Sequence, residues 1–164
     1  MSRRTIRAAL LLLPALIAVA LPAPGARAFD PRCPVATEER ARALAERAAA
    51  FLKSSGAAVA LPAFTGRTHG FGAGDLYVFV FDFHGTMLAS GGWPEHVGAN
   101  VVGPYGAGGP YARIRRVAAS PPGRGWVRYN WYSPCTRSMQ PKMTYVIRVG
   151  PYIVGVGAYT IPAV

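Results

Sequence analysis

The sequence predicts an α+β domain built on an antiparallel sheet. Three observations carry that prediction: one long stretch with helical spacing, five strand-like runs after it, and a short helical excursion between the second and third of those runs. The helical stretch covers Thr37 to Lys53, where Ala41, Leu44, Ala48, Phe51 and Leu52 recur on one face while Arg40, Arg47 and Lys53 fall outside it. Thr37 is placed to cap this helix, Glu38 and Glu39 occupy the first turn where the macrodipole favours acids, and Gly56 is a natural stop. Alanine predominates on the apolar stripe, which suits close packing on a sheet or a second helix. Ala57 to Phe64 is a second, shorter helical candidate, bounded by Gly66.

A glycine-rich approach, His69 to Gly74, leads to the first clear strand, Asp75 to Asp82. It is apolar on both faces, with Tyr77, Phe79 and Phe81 on one and Leu76, Val78 and Val80 on the other, as expected of a strand inside a sheet that is covered on both sides. Asp82 to Gly85 has the composition of a hairpin turn, and Thr86 to Ser90 is the returning strand. Gly91 to Pro110 is too punctuated by glycine and proline for regular structure. Tyr111, Ile114 and Ala118 mark a short helix, broken by Pro121-Pro122-Gly123. Three closing strands follow: Gly125 to Tyr132, Lys142 to Val149, and Tyr152 to Thr160.

The first 28 residues read as a cleaved secretory signal and the remainder, 29–164, as one domain. Arg3, Arg4 and Arg7 form a positive start, Ala8 to Leu21 an apolar run too short to span a bilayer, and Ala26-Arg27-Ala28 the small-residue pattern of a cleavage site, leaving Phe29 as the mature start. The expected location is periplasmic or secreted. Cleavage removes four of the 18 basic residues and none of the seven acids, so the mature domain carries a net charge of +7. Its arginines are scattered apart from Arg113, Arg115 and Arg116, which describes a generally basic surface and not a nucleic-acid footprint. Two cysteines, Cys33 and Cys135, remain; in an exported chain a disulfide is their default pairing, and closing so long a loop stabilises by about 4–5 kcal/mol in the chain-entropy account.

Catalytic and metal chemistry find little support. The string VFVFDFHGTML has the look of a phosphatase DxDGT loop, but His84 stands where the second carboxylate belongs, and Glu95 is the only acid after Asp82. A turn with Asp82 at its first corner and Gly85 at its last explains the same residues. His69, His84 and His96 all fall in loops, and neither Ser133 nor Cys135 has the setting of a nucleophile. No Cys–His spacing suits zinc. The expectation is a non-enzymatic domain with no cofactor and no metal.

Lysine is a rarer choice here than arginine: only Lys53 and Lys142 occur among the 18 basic residues. A compact ammonium suits a small carboxylate in a tight aromatic pocket, whereas a surface lysine at a strand end is the plainer reading of Lys142. On the preceding strand, alternation puts Val127, Tyr129 and Trp131 on one face and Trp126, Arg128 and Asn130 on the other; the first set is the better pocket wall.

In order along the chain, DLYVFVFDFHGTMLAS, PEHVGAN at 94–100, GWVRYNW, PKMTYV and IVGVGAY resemble the motifs of the single Cache domains, extracytoplasmic PAS-like sensor modules. The resemblance runs from about Ala41 to Tyr159. It implies a PAS-like sheet of five or six antiparallel strands with a long N-terminal helix, short covering helices, and a small-molecule pocket between sheet and covering loops. It also implies Tyr77, Tyr129, Trp131, Lys142 and Tyr145 as ligand-binding residues, with Lys142 the anchor for a carboxylate. Unbroken alternation would send Lys142 and Tyr145 to opposite faces, so either a bulge follows Lys142 or only one of the two lines the pocket.

Two departures stand out. Family members commonly sit between membrane helices ahead of an output domain, whereas no second membrane segment is seen in these 164 residues, and the loop after Asn100 lacks a charged D-x-x-G stretch. The expectation is therefore a free-standing exported domain that binds a small organic anion and presents it to a membrane receptor or other envelope protein. The alternative is an interaction module for envelope proteins or polymers, with no small-molecule ligand.

Overall fold

The computed structural model describes residues 36–105 and 108–160. The signal segment, the expected start at Phe29 and Cys33 lie outside the described residues.

Helix α1 (Glu38–Ser55) begins where the sequence places its cap: the Arg40 backbone N–H donates to Thr37 Oγ1 at 3.3 Å, and Glu38 and Glu39 fill the first turn. It ends at Gly56, whose φ of 75° directs the chain straight into α2 (Ala57–Thr65). Ala41, Ala45, Ala48 and Leu52 are buried against the sheet, and the small side chains let the helix lie close over β5 and β6.

The sheet has six strands, β1 (Gly72–Ala73), β2 (Leu76–Asp82), β3 (Met87–Ser90), β4 (Arg124–Ser133), β5 (Ser138–Val149) and β6 (Tyr152–Tyr159). All pairings are antiparallel, in the order β1-β2-β6-β5-β4, with β3 also beside β2. The α+β class and the long N-terminal helix on an antiparallel sheet are as the sequence predicts. A two-residue strand, β1, is added to the five that alternation reveals, because its only mark is its pairing with Leu76 and Tyr77.

The sheet separates two cores. Leu76, Val78 and Val80 of β2, Tyr145 of β5 and Val154 and Val156 of β6 pack with α1 and α2. On the opposite face Tyr77, Phe79 and Phe81 of β2, Tyr129 of β4 and Ile153 and Tyr159 of β6 pack with α4 (Pro110–Ala119). Between Gly91 and Pro110 the chain is more ordered than its composition suggests, forming a 3-10 turn at Pro94–His96 and the short helix α3 (Val102–Tyr105). That segment is held by backbone bonds to the β2–β3 hairpin: Met87 N–H to Ala99 O, Gly98 N–H to Met87 O and Val101 N–H to Gly85 O.

The Asp82–Gly85 segment is the turn that was expected. The Gly85 N–H reaches Asp82 O at 3.3 Å, and Asp82 Oδ1 accepts from the backbone of His84 at 2.9 Å and Thr86 at 2.8 Å. Burial opposes ionisation of this carboxyl, but those hydrogen bonds hold it below the usual carboxylate range.

Candidate functional site

Between the α4-side face of the sheet and the segment that follows β3 lies a cavity of about 180 Å³. It is of the order of the 150 Å³ cavity that accepts one benzene molecule. Its floor is Tyr77, Phe79 and Phe81 of β2 with Tyr129 and Trp131 of β4; Ile114 and Tyr111 of α4 form one side, and Trp93, His96 and the backbone around Ala99–Val101 form the cover. Most of this wall is aromatic or aliphatic, with a few polar atoms set into it, the usual make-up of a small-molecule site.

Behind the floor sits Lys142. The sequence places it where a loop re-enters the sheet, but β5 begins four residues earlier, at Ser138, so the lysine stands inside the strand, paired with Tyr129 of β4 and Tyr159 of β6. It is 1% exposed. Its side chain crosses β6 above Gly157, where no side chain obstructs it, and Nζ donates to Tyr77 Oη at 2.8 Å and Tyr159 Oη at 3.3 Å. The same ammonium lies 4.0 Å from the centroid of the Tyr77 ring and 4.5 Å from that of Tyr159, within cation–π range of both. Burial lowers the Lys142 pKa, while Tyr77 and the buried Asp75 act in the opposite direction. Desolvation in turn raises that of Asp75, against the Ser133 hydroxyl, Lys142, the Cys135 backbone and Arg67, which all favour its carboxylate.

The Tyr77 proton is not fixed by this network. The Tyr159 hydroxyl donates to Tyr132 O at 2.8 Å, and an ammonium cannot accept. The Tyr77 proton therefore goes either to Tyr159 Oη, 3.3 Å away, or into the cavity that Tyr77 lines. The ammonium on its oxygen makes Tyr77 the stronger donor. Tyr129 Oη accepts from Thr144 Oγ1 at 2.9 Å, and full burial raises its pKa, so it is a neutral phenol.

The five residues singled out by the sequence divide as follows. Tyr77, Tyr129 and Trp131 line the cavity, and Lys142 stands one layer behind, bonded to Tyr77. Tyr145 does not belong with them. The β5 pairing runs without a bulge from Lys142 to Tyr145, so strict alternation turns Tyr145 to the α1 face, where it packs edge-on against Trp126 and beneath Arg42. Sequence reasoning missed Trp93, Tyr111 and Tyr159. Phe79 and Phe81 were within reach, since alternation already groups them with Tyr77. Of the three histidines only His96 reaches the cavity, stacked on Trp93 at 5.9 Å with the rings 16° apart. Among the described residues, no three His, Cys, Asp or Glu side chains gather in a way that could hold a metal, and no helix is long and apolar enough to cross a membrane.

Residues 61–161 match the family model described as Single Cache domain 2. The chain belongs to the single Cache family. Solved structures share the fold. A methyl-accepting chemotaxis protein from Vibrio parahaemolyticus superposes with a TM-score of 0.59 at 18% identity, over 74% of this chain and 86% of its own. A periplasmic sensor domain of a chemotaxis protein gives 0.57 at 23%, covering 75% and 90%. A Cache chemosensory domain described for its carboxylic acid recognition gives 0.60 at 20%, covering 75% and 92%. No curated protein matches the sequence. This Cache chain is thus a member of a sensor-domain family, and its cavity lies between the sheet and its covering loop, as the resemblance implied.

Proposed function

We propose that this Cache domain binds a small organic acid in the cavity, its apolar part on Phe79, Phe81 and Ile114 and its carboxylate against the Tyr77 hydroxyl. The observation that carries the reading is the 2.8 Å bond from Lys142 Nζ to Tyr77 Oη. Keeping an ammonium in the interior is costly, and here it is spent on strengthening one donor at a cavity wall. Lys142 thus acts through Tyr77, as a positioning and polarising group, and Tyr129 and Trp131 shape the wall beside it. The carboxylic acid recognised by one structural neighbour is consistent with this choice of ligand. The domain works as a sensor module and not as an enzyme, exported by a signal removed before Phe29, stapled by a Cys33–Cys135 disulfide, and read by a membrane receptor.

Calorimetric titration of the mature protein with acetate, propionate, butyrate, pyruvate and benzoate tests the reading, alongside thermal shift. A ligand at about a hundredfold excess over Kd stabilises by about 2.7 kcal/mol. Lys142→Met should weaken binding by about tenfold or more while the protein stays folded, the factor expected when a donor to a charged group is impaired. Absence of any response across the series would overturn the organic-acid reading, and undiminished affinity in Lys142→Met would remove the lysine from it. N-terminal sequencing of the exported protein should begin at Phe29.

A further inference from the structure

Among the described residues, strand β4 pairs with β5 and with no other strand, over all ten of its residues and without a break in register. The opposite margin of the sheet is blunt by comparison, formed by the two-residue β1 and the four-residue β3. A long open edge is a template for a further strand unless it is bulged or interrupted by proline, and β4 is neither.

The ladder shows which backbone groups face outward. In an antiparallel pair, alternate residues turn both N–H and C=O to the partner strand, and those between turn them away. Gly123 O accepts from the Arg148 N–H at 2.7 Å, which sets the inward phase at 123, 125, 127 and 129. Trp126, Arg128 and Asn130 therefore face outward. Two contacts agree: Pro141, opposite Asn130, gives its carbonyl to the Thr160 N–H on the β6 side, and Arg128 O is reached by Arg113 Nη1 of α4 at 3.2 Å. Tyr132 O is taken by the Tyr159 hydroxyl, so the open stretch ends at Asn130.

The charge along this edge has one sign. No Asp or Glu follows Glu95, so α4, β4, β5 and β6 contain no acid, while Arg113 and Arg116 of α4 and Arg124 and Arg128 of β4 are exposed. Arg124 and Arg128 share the face of β4 on which Trp126 meets Tyr145, and Arg113 flanks the same edge from the α4 side. A second copy is a poor occupant: antiparallel pairing of two β4 strands about Trp126 or Arg128 sets arginine against arginine, and like charges directly opposite are destabilising.

We infer that the β4 edge is a docking site for an extended acidic segment of a partner protein, added to the sheet as a seventh strand. Its backbone pairs with Trp126, Arg128 and Asn130, and its carboxylates meet Arg124, Arg128 and Arg113, the last turning from Arg128 O to the incoming side chain. The inference does not depend on what the cavity binds.

The test is amide hydrogen exchange of the mature protein with a short blocked peptide of alternating Glu and Val, against its Lys and Val counterpart. The N–H groups of Trp126, Arg128 and Asn130 should exchange rapidly in the free protein and slow by about tenfold when the acidic peptide stands at about ten times its Kd. Asn130→Pro removes one outward N–H and spares the pairing with β5, since proline is tolerated on an open edge; it should weaken the peptide by about fivefold, the effect of one backbone hydrogen bond. Arg124→Glu with Arg128→Glu should weaken it by about tenfold. If Asn130→Pro does not fold, protection of the three wild-type amides decides the matter alone. Amides already protected in the free protein, an acidic peptide that fails to bind at millimolar concentration, or one that binds without protecting them would overturn the inference. So would binding that falls with the arginine substitutions but ignores Asn130→Pro, or phosphatidylglycerol vesicles bound in preference to the peptide, either of which describes a surface for polyanions or membranes.

Discussion

Gly157→Ala is the most direct probe of how Lys142 reaches Tyr77. A Cβ on residue 157 would stand 2.9 Å from Lys142 Cγ and closer still to Lys142 Cε and Thr144 Oγ1. Non-bonded carbons rest at about 3.5–4.0 Å, so the lysine has to move by about 1 Å or more. It has nowhere to go in the plane of the sheet, because Tyr129 and Tyr159 flank it on the neighbouring strands. Overpacking of this kind costs about 1–3 kcal/mol. Displacement of Nζ from Tyr77 adds the loss of a charge-assisted hydrogen bond, worth about 1.5–3 kcal/mol. A combined destabilisation of about 3 kcal/mol corresponds to a fall in Tm of about 10 °C for a domain of this size. The control is Gly103→Ala, where a new Cβ meets nothing within 4 Å and the position is helical, so stability should hold or rise slightly. Chemical and thermal denaturation of both variants, with calorimetric affinity for any carboxylate that binds, gives the comparison. A Gly157→Ala protein that melts within about 2 °C of wild type and binds as well would refute the path assigned to the lysine.

Three further outcomes follow from the same geometry. Tyr77→Phe removes the polarised hydroxyl and should weaken carboxylate binding by about tenfold, whereas Tyr145→Phe, on the α1 face, should leave affinity within about twofold, as measured by titration calorimetry. Asp82→Ala removes the acceptor of the His84 and Thr86 N–H groups and should cost about 0.5–1.5 kcal/mol at neutral pH. Because the folded-state pKa of Asp82 is lowered, its contribution is present above the unfolded value of about 3.9 and lost as pH falls through the folded one, so urea midpoints of wild type and variant should converge in acid. For the proposed Cys33–Cys135 bridge, reduction should lower stability by about 4–5 kcal/mol; equal denaturation midpoints with and without reductant, or two reactive thiols in the unfolded unreduced chain, would rule it out.

How far the sequence reveals this molecule depends on whether a residue's position is set by its neighbours in the chain. Helix α1 was legible because cap, stripe and glycine stop all lie within twenty residues, and β2 because its alternation is uninterrupted. The segment from Gly91 to Pro110 was not, since its shape comes from backbone bonds to Gly85 and Met87 that no local pattern announces. The start of β5 was misplaced for a related reason: Ser138 and Gln140 look like loop residues, yet they pair with Ser133 and Trp131 across the hairpin. That shift is what moved Lys142 from a strand end to the interior. Tyr145 could have been excluded by alternation alone, which pointed to the opposite face. Trp93 could not have been found, because a lone tryptophan in a punctuated loop carries no sign that its N–H will be buried without an acceptor.

The closing run IVGVGAY, read in the sequence only as part of a family pattern, has a physical role in making the cavity. Strand β6 turns residues 153, 155, 157 and 159 toward the α4 side, and the inner two of these are glycines. The ring of Phe79 lies over Gly155, where a Cβ would come to 2.9 Å from Cε1 and nearer to other ring atoms, and the stem of Lys142 lies over Gly157. Two side chains from neighbouring strands are thus laid flat across β6 where side chains of β6 itself would otherwise stand. Phe79, whose ring lies over Gly155, lines the cavity, and Lys142, whose stem lies over Gly157, is bonded to Tyr77, which lines it too. The glycines supply both conditions the proposed site needs, the space above Phe79 and the path by which the ammonium reaches Tyr77. An alanine at 155 should therefore close the cavity from below even if Lys142 stays in place, and an alanine at 157 should disconnect the lysine even if the cavity stays open.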